Sequence, residues 1–411
     1  MRIRWRVPVL LSAGVVVARL FPLSPIVDVV TWTPPPAAHL VYPFFHVLFA
    51  PLTLLADWLN GGSTRDLTGF AVWSVAAFLL IRVFARPAPG PRPAAREAWL
   101  AAAFVTALAA FVGWGYWLPR PIPRLVTSDA DALVLDIHSH TALSHDGRPG
   151  FGAGQNAAWH ARAGFDVAFV TDHNVCCAAL GWRRENPGAR PVLLQGEEIS
   201  LSGIHVLALG IRAVISNHPY DASWDSTGAL VRRLAADSVF MVPTLPEDWR
   251  RHTGAEFGEL SEWGVGGFEI WTTSPQAMNM PPSGRRTVIA WSRLENRPVF
   301  GSTDMHGYGN AATVWNVVRL PGWRAMGDSA LQAALLVRLR TGGVSANEVV
   351  ALRRWLPTTR LGSALDAPVN VALLLRTASG PHALALLLWI WGVAAAGTLL
   401  RASRRRAPGA G

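Results

Sequence analysis

Apolar and polar positions divide this chain into two regimes. Five long runs, roughly 7–23, 40–59, 67–84, 99–117 and 382–400, carry few polar residues. Between the fourth and fifth runs the apolar stretches shorten and alternate with amphipathic ones. Strands are expected at 133–136, 167–170, 192–194, 205–209, 239–242, 268–271 and 299–301, where short apolar runs rich in β-branched and aromatic residues recur. Helices are expected at 155–163, 227–236, 285–294 and 329–340. Strands alternating with helices point to an α/β fold on a mostly parallel sheet or barrel.

A membrane span needs about 20 mostly apolar residues. The third, fourth and fifth runs qualify. The first is long enough only if it continues through Arg19 toward Val27. The second contains Pro51 and Asp57, which suits an interfacial or re-entrant segment. The chain has 411 residues, of which 51% are apolar and 16% charged. A mean hydropathy of +0.25 fits a chain that is part membrane. The expected divisions are a membrane region at 1–124, a catalytic-type domain at 128–374, a transmembrane helix at 381–401 and a basic tail at 402–411.

The formal charge is +10, and every basic side chain is Arg. In a soluble protein such basicity suggests nucleic acid. Here arginines flank the apolar runs and read as topology signals, so no nucleic-acid partner is expected. Arg2, Arg4 and Arg6 precede the first run. Arg82, Arg86, Arg92 and Arg96 separate the third and fourth, and Arg401 and Arg404 to Arg406 follow the fifth. All three clusters are cytoplasmic if four runs span and the second does not. The domain between them then faces away from the cytoplasm, in an integral protein of the cell (inner) membrane. Arg19, Arg120 and Arg124 run mildly against that topology. No small-residue cleavage pattern follows the first run, which argues against a removed signal peptide. Cys176 and Cys177 are adjacent, cannot form an ordinary structural bridge, and read as buried small residues.

Histidine and carboxylate interrupt the middle region in a repeated theme. Asp136-Ile137-His138-Ser139-His140 follows one strand, and Ser144-His145-Asp146-Gly147 comes next. Thr171-Asp172-His173 follows the second strand. Glu198 and His205 come later, and Thr303-Asp304-Met305-His306 closes the last. Strand side chains alternate with period two, so His138 and His140 share one side, with Asp136 placed to orient a ligand. Each motif alone is weak. Together, at successive strand ends, they describe a site for two or three divalent ions such as Zn, Mn or Fe.

In this combination and order the motifs resemble the PHP domain, named for polymerase and histidinol phosphatase, over roughly residues 136–306. The resemblance implies a distorted (β/α)7 barrel with a two- or three-metal site at its C-terminal strand ends, and hydrolysis of phosphoesters. It implies that His138 and His140 hold a first metal with Asp304. Glu198 would bridge to a second, which His205 also binds, and His173, His306 and a residue of 144–147 would hold a third. Glu198, Asp304 and His306 are accordingly the expected catalytic centre. Asp136, Asp172, His218 and Glu269 are expected to bind substrate or to orient the ligands.

Two departures from the family pattern stand out. His145 falls at the family's usual Asp position and is preferred to Asp146 as the ligand. Leu245 falls where the family commonly has His. His218 is a candidate substitute, His252 a poorer one, or the site holds only two metals. The expected function is a membrane-anchored, metal-dependent phosphoesterase acting on a small phosphomonoester or phosphodiester outside the cytoplasm. The alternative, opened by Leu245, is a metal-binding but non-catalytic receptor or scaffold. Transport fits poorly, because the apolar runs that qualify as spans hold few ionisable groups.

Overall fold

The computed structural model describes residues 5–84, 94–251, 254–309, 311–356, 362 and 364–406. Arg2, Arg4, Arg86, Arg92, His252 and the Pro-rich loop 87–93 lie outside them. Twelve strands are present among the described residues: β1 (Ile26–Asp28), β2 (Ala38–Val41), β3 (Arg124–Thr127), β4 (Ala132–Asp136), β5 (Val167–Val170), β6 (Val192–Leu201), β7 (Ile204–Leu209), β8 (Phe240–Pro243), β9 (Phe268–Thr272), β10 (Val299–Ser302), β11 (Val314–Arg319) and β12 (Glu348–Leu352). The seven expected strands form as β4 to β10. The four expected helices form at Ala153–Ala163, Trp224–Ala236, Pro282–Leu294 and Asp328–Thr341.

The strands pair differently from a mostly parallel barrel. One eight-stranded sheet runs in the order β1-β12-β11-β4-β5-β6-β7-β8, and β9 and β10 form a separate pair. Parallel pairing is confined to β4–β5–β6 and to β9–β10. The neighbours β6–β7–β8 and β4–β11–β12–β1 are antiparallel. Among the described residues no sheet closes on itself. The reason lies at β4, whose outer edge is taken by β11, with Asn316 opposite Leu135. β10 therefore cannot form a ladder with β4. The Asn316 side chain bridges them instead, accepting from Gly301 N (2.9 Å) and donating to Gly301 O (2.6 Å) and Leu135 O (3.1 Å). Gly301 is required there, because a Cβ would lie 2.3 Å from Val314 Cγ2.

β4, β5, β8 and β9 are buried along their whole length. Leu133, Leu135, Phe169, Leu194 and Phe240 pack with Leu331, Leu335 and Leu339 of the helix Asp328–Thr341. A second core joins Leu230, Val231 and Leu234 to Val206, Phe268 and Ile270. Such apolar burial is the main favourable term in folding. The two cysteines are joined in a disulfide between chain neighbours rather than being free.

Three helices are long and apolar enough to cross a membrane: Thr64–Val83, Ala94–Trp117 and Gly380–Leu399. Their outward faces carry exposed Val72, Leu80, Ile81, Val105, Leu388 and Val393. The first apolar run stops short. Its helix, Arg6–Leu20, has 15 residues, a rise of about 22 Å against the roughly 30 Å of a hydrocarbon core. Residues toward Val27 form β1 instead of continuing it. The second run breaks into Phe44–Leu48 and Ala50–Asn60. Buried polar groups tie these short helices to the rest. His46 joins His382 (3.0 Å) and Asp57 (2.7 Å), and Asp57 pairs with Arg120 (2.5 Å).

Candidate metal centre

Backbone pairing continues past the strand ends and draws the polar motifs together. Thr171 N donates to Ser139 O (2.7 Å), Glu198 N to Asp172 O (3.2 Å), Asp304 N to His138 O (3.0 Å) and His140 N to Met305 O (2.8 Å). Segments 138–140, 171–173 and 304–306 therefore lie side by side after β4, β5 and β10. Glu198 and His205 are placed differently from the expected strand ends. Glu198 lies inside β6, which runs on to Leu201, and His205 lies near the start of β7 in the same hairpin. Period-two alternation sends Glu198 to the cluster and Glu197 away from it, where it accepts from Ile215 N (2.8 Å).

Three groups of side chains bring ligand atoms within reach of a common ion: His138, His140 and Glu198; His140, Asp146, His173 and His306; and His173, Glu198 and His205. In the first, Glu198 Oε2 lies 2.9 Å from His138 Nε2 and 3.2 Å from His140 Nε2. Asp304 Oδ1 lies 3.4 and 3.3 Å from the same two nitrogens. In the second, Asp146 Oδ2 lies 3.0 Å from His306 Nε2 and 3.4 Å from His173 Nε2. In the third, Glu198 Oε1 lies 3.1 Å from His205 Nδ1. Asp304 holds a left-handed backbone at φ +49°, a conformation Asp tolerates better than most residues.

Two expectations need correction. Asp146, rather than the preferred His145, enters the second group. A Ser144 Oγ bond to Asp146 Oδ1 (2.7 Å) braces the turn so that the Asp146 carboxylate, though 40% exposed, meets His173 and His306, while the exposed His145 ring lies 4.9 Å from the His173 ring. His218 stays apart from all three groups, its side chain 86% exposed and its ion-pair partner Asp221 at 3.9 Å. Leu245 is fully buried in the apolar core at the start of the short helix Leu245–Asp248. Two residues on, Glu247, which the sequence reading passed over, brings its carboxylate 3.8 Å from His205 Nδ1. Thr244 fastens that turn by donating from N and Oγ1 to His205 O (3.0 and 3.2 Å).

The remaining carboxylates hold the ligand-bearing segments. Asp136 accepts from His138 N (3.3 Å), Thr303 N (3.2 Å) and Thr303 Oγ1, and meets His160 Nε2 at 2.9 Å. Asp172 accepts from Thr141 N (2.6 Å) and Thr141 Oγ1 (2.8 Å) just after His140. Glu269 lies 3.4 Å from His138 Nδ1 and accepts from Ser302 Oγ, leaving His138 Nε2 toward Glu198. His160 had no distinguishing signal in the sequence, because it reaches the site only through Asp136 and through Asn156, which donates to His140 O (2.9 Å).

Charge in this cluster is strongly coupled. Burial acts to raise the Glu198 carboxyl, but His138, His140 and His205 outweigh it and hold it well below its usual range. Burial likewise opposes protonation of His138, but Glu198 and Asp304 raise it well above the ordinary imidazole value. Asp146 and Asp304 are lowered against their burial, chiefly by His173 and His306 for the first and by His306 and His138 for the second. His306 is pushed up to about 9, the carboxylates of Asp304 and Asp146 overcoming burial. Glu247 is pushed up by burial and then by Asp304 and Glu198.

The donor set fits divalent cations. His140 Nε2, Glu198 Oε1, His205 Nδ1 and His306 Nε2 are buried atoms that make no hydrogen bond, although each lies close to another donor atom. Orphaned buried polar atoms are costly, and facing pairs of imidazole nitrogen and carboxylate oxygen are what a shared ion satisfies. Beside them a cavity of about 370 Å³ is lined by Asp146, Glu247, Asp304, His306, Asn60 and Tyr116 among others.

No family model and no curated protein matches the chain. Among solved structures, it is similar to a protein of Bifidobacterium adolescentis provisionally described as a metal-dependent phosphoesterase. That likeness has 17% identity, covers 43% of this chain and 88% of the other, and has a TM-score of 0.33. It is also similar to PsfC from Pseudomonas syringae, with 13% identity over 59% of this chain and 98% of the other, and a TM-score of 0.35. At such scores neither likeness fixes a fold or an activity.

Proposed function

We propose that this chain is a membrane-anchored, metal-dependent phosphoesterase whose site faces away from the cytoplasm. The observation that carries the reading is the set of three convergent His and carboxylate groups sharing Glu198, His140 and His173. His138, His140, Glu198 and Asp304 would hold one ion, and Asp146, His173 and His306 another. Glu198, bridging through its second oxygen, and His205 would hold a third, with Glu247 taking the part that Leu245 cannot. Divalent ions bound there supply charge against phosphoryl oxygens and acidify a water at neutral pH.

The chain's own residues do the rest. Asp136, Asp172 and Glu269 fix the ligand-bearing backbone and imidazoles before substrate arrives, which is the arrangement that lets electrostatic stabilisation act without reorganisation. The cavity beside Asp304 and His306 admits a phosphoester head.

The test is metal content and hydrolysis by the purified full chain in detergent, with aryl phosphomonoester and phosphodiester and added Mn2+ or Zn2+. His140→Ala is expected to lower metal content and abolish turnover while the helical far-UV signal persists. Metal bound without turnover of any phosphoester would instead establish a non-catalytic metal module.

A further inference from the structure

The cavity at the metal centre is walled partly by the ends of the helices that are long and apolar enough to span a membrane. Tyr116 belongs to the last turn of Ala94–Trp117, and Asn60 ends Ala50–Asn60 just before Thr64–Val83 begins. Both line the same cavity as Asp146, Asp304 and His306. The contact is built in rather than incidental. Gly309 N donates to Tyr116 O (2.9 Å), Ala311 N to Asn60 Oδ1 (3.2 Å) and Arg148 Nη1 to Trp117 O (3.3 Å). Thr64 is held from the opposite wall, its N donating to Pro275 O (3.2 Å) and its Oγ1 accepting from Asn279 Nδ2 (2.8 Å).

Apolar side chains stay exposed on the segments that meet here. Trp117 closes its helix and Leu118 follows it, Leu143 precedes Asp146 in its turn, and Tyr308 follows His306; they are 55%, 56%, 58% and 45% exposed. Of these, Tyr308 lines the cavity itself, and Trp117 and Leu118 continue the chain directly from Tyr116, which also lines it. Aromatic residues at helix ends sit at the bilayer interface, so the mouth that admits the phosphoester lies at headgroup level.

We infer that the substrate is an amphiphile of the bilayer itself, with a phosphoester head that enters beside Asp304 and His306 and an apolar tail that remains along Trp117 and Leu118. This rests on the phosphoesterase reading above. Lateral delivery from the membrane concentrates such a substrate at the mouth, and binding of the tail holds the head in position for reaction.

The experiment uses the full chain reconstituted in phosphatidylcholine vesicles with Mn2+ or Zn2+. It compares one phosphoester head on a long alkyl chain, on a diacylglycerol and on an ethyl group, with an aryl phosphate as a soluble reference. The long-chain esters are expected to exceed the ethyl ester in kcat/KM by at least ~10-fold. The alkyl and diacyl arms separate single-chain from two-chain lipids. Trp117→Ser with Leu118→Ser is expected to lower the long-chain to ethyl ratio, with metal content as the check that the fold is kept. Aryl phosphate turnover with no long-chain advantage overturns the inference and leaves the phosphoesterase reading standing. No turnover of any ester by metal-loaded protein overturns both.

Discussion

At the residue scale, the metal-free cluster stores protons where ions belong. His306 is protonated below about 9, so binding an ion there must expel that proton. Apparent metal affinity is therefore expected to fall as the pH drops and to level off above about 9. Competition titrations with a Zn2+ chromophore check this, and an affinity independent of pH between about 6 and 9 would sink it. The sign for metal-free stability follows from the same shift. The His306 contribution is fully present below the unfolded value near 6.5 and is lost as pH rises through about 9. Exchanging single donors resolves the assignments. Glu247→Gln is expected to weaken one ion by roughly 10-fold or more, and Asp146→Asn another, whereas His145→Ala leaves the tightly held ions in place. Equilibrium dialysis with elemental analysis reads all three.

At the element scale, Asn316 does the work of a missing ladder between β10 and β4. Asn316→Ala strands the Gly301 N–H in the core, a cost of about 1–3 kcal/mol, and loosens the segment that carries Asp304. Lower thermal stability together with weaker metal binding is the expected pair, and unchanged metal affinity would show that β10 is held otherwise. The buried Asp57–Arg120 pair serves the membrane-side helices in a similar way. Asp57→Ala leaves Arg120 uncompensated and is expected to cost about 3–5 kcal/mol, measured as a shift in thermal unfolding in detergent. Strands β4, β5 and β7 to β10 were legible as short apolar runs, whereas β6 was legible only at 192–194, because Gln195-Gly196-Glu197-Glu198 interrupts its apolar run. β11 was not read, although Val314-Trp315-Asn316-Val317-Val318 is rich in strand formers. Its significance lies in pairing with β4, far away in the chain, and Asn316 counts against a strand locally.

At the scale of the whole molecule, three helices rather than four reach spanning length among the described residues. If those three cross a membrane, the loop after Arg82 and the C-terminus fall on one side, and the domain carrying the candidate metal cluster falls on the other. The arginine bias supports the proposal that the first side is the cytoplasmic one. Reporter fusions after Arg124 and at Gly411 are accordingly expected on opposite faces of the membrane. The same face for both would exclude a spanning C-terminal helix.

The sequence by itself determined the kinds of residue available and where they recur: short apolar runs for strands, long ones for the bilayer, and His and carboxylate groups after several of the runs. Those are local facts, set by side-chain chemistry and by the periods of strand and helix. Tertiary structure alone decided that the Asp146 carboxylate reaches His173 and His306 while His145 lies beside the His173 ring, in a turn that Ser144 braces. It decided that Glu247 approaches His205 while Leu245 packs in the core, because Thr244 is bound to the β6–β7 hairpin. It also left the sheet open, because β11 occupies the edge of β4, and it set Asn60 and Tyr116 beside the metal ligands. Each of these outcomes depends on hydrogen bonds and packing between segments that local sequence patterns do not relate.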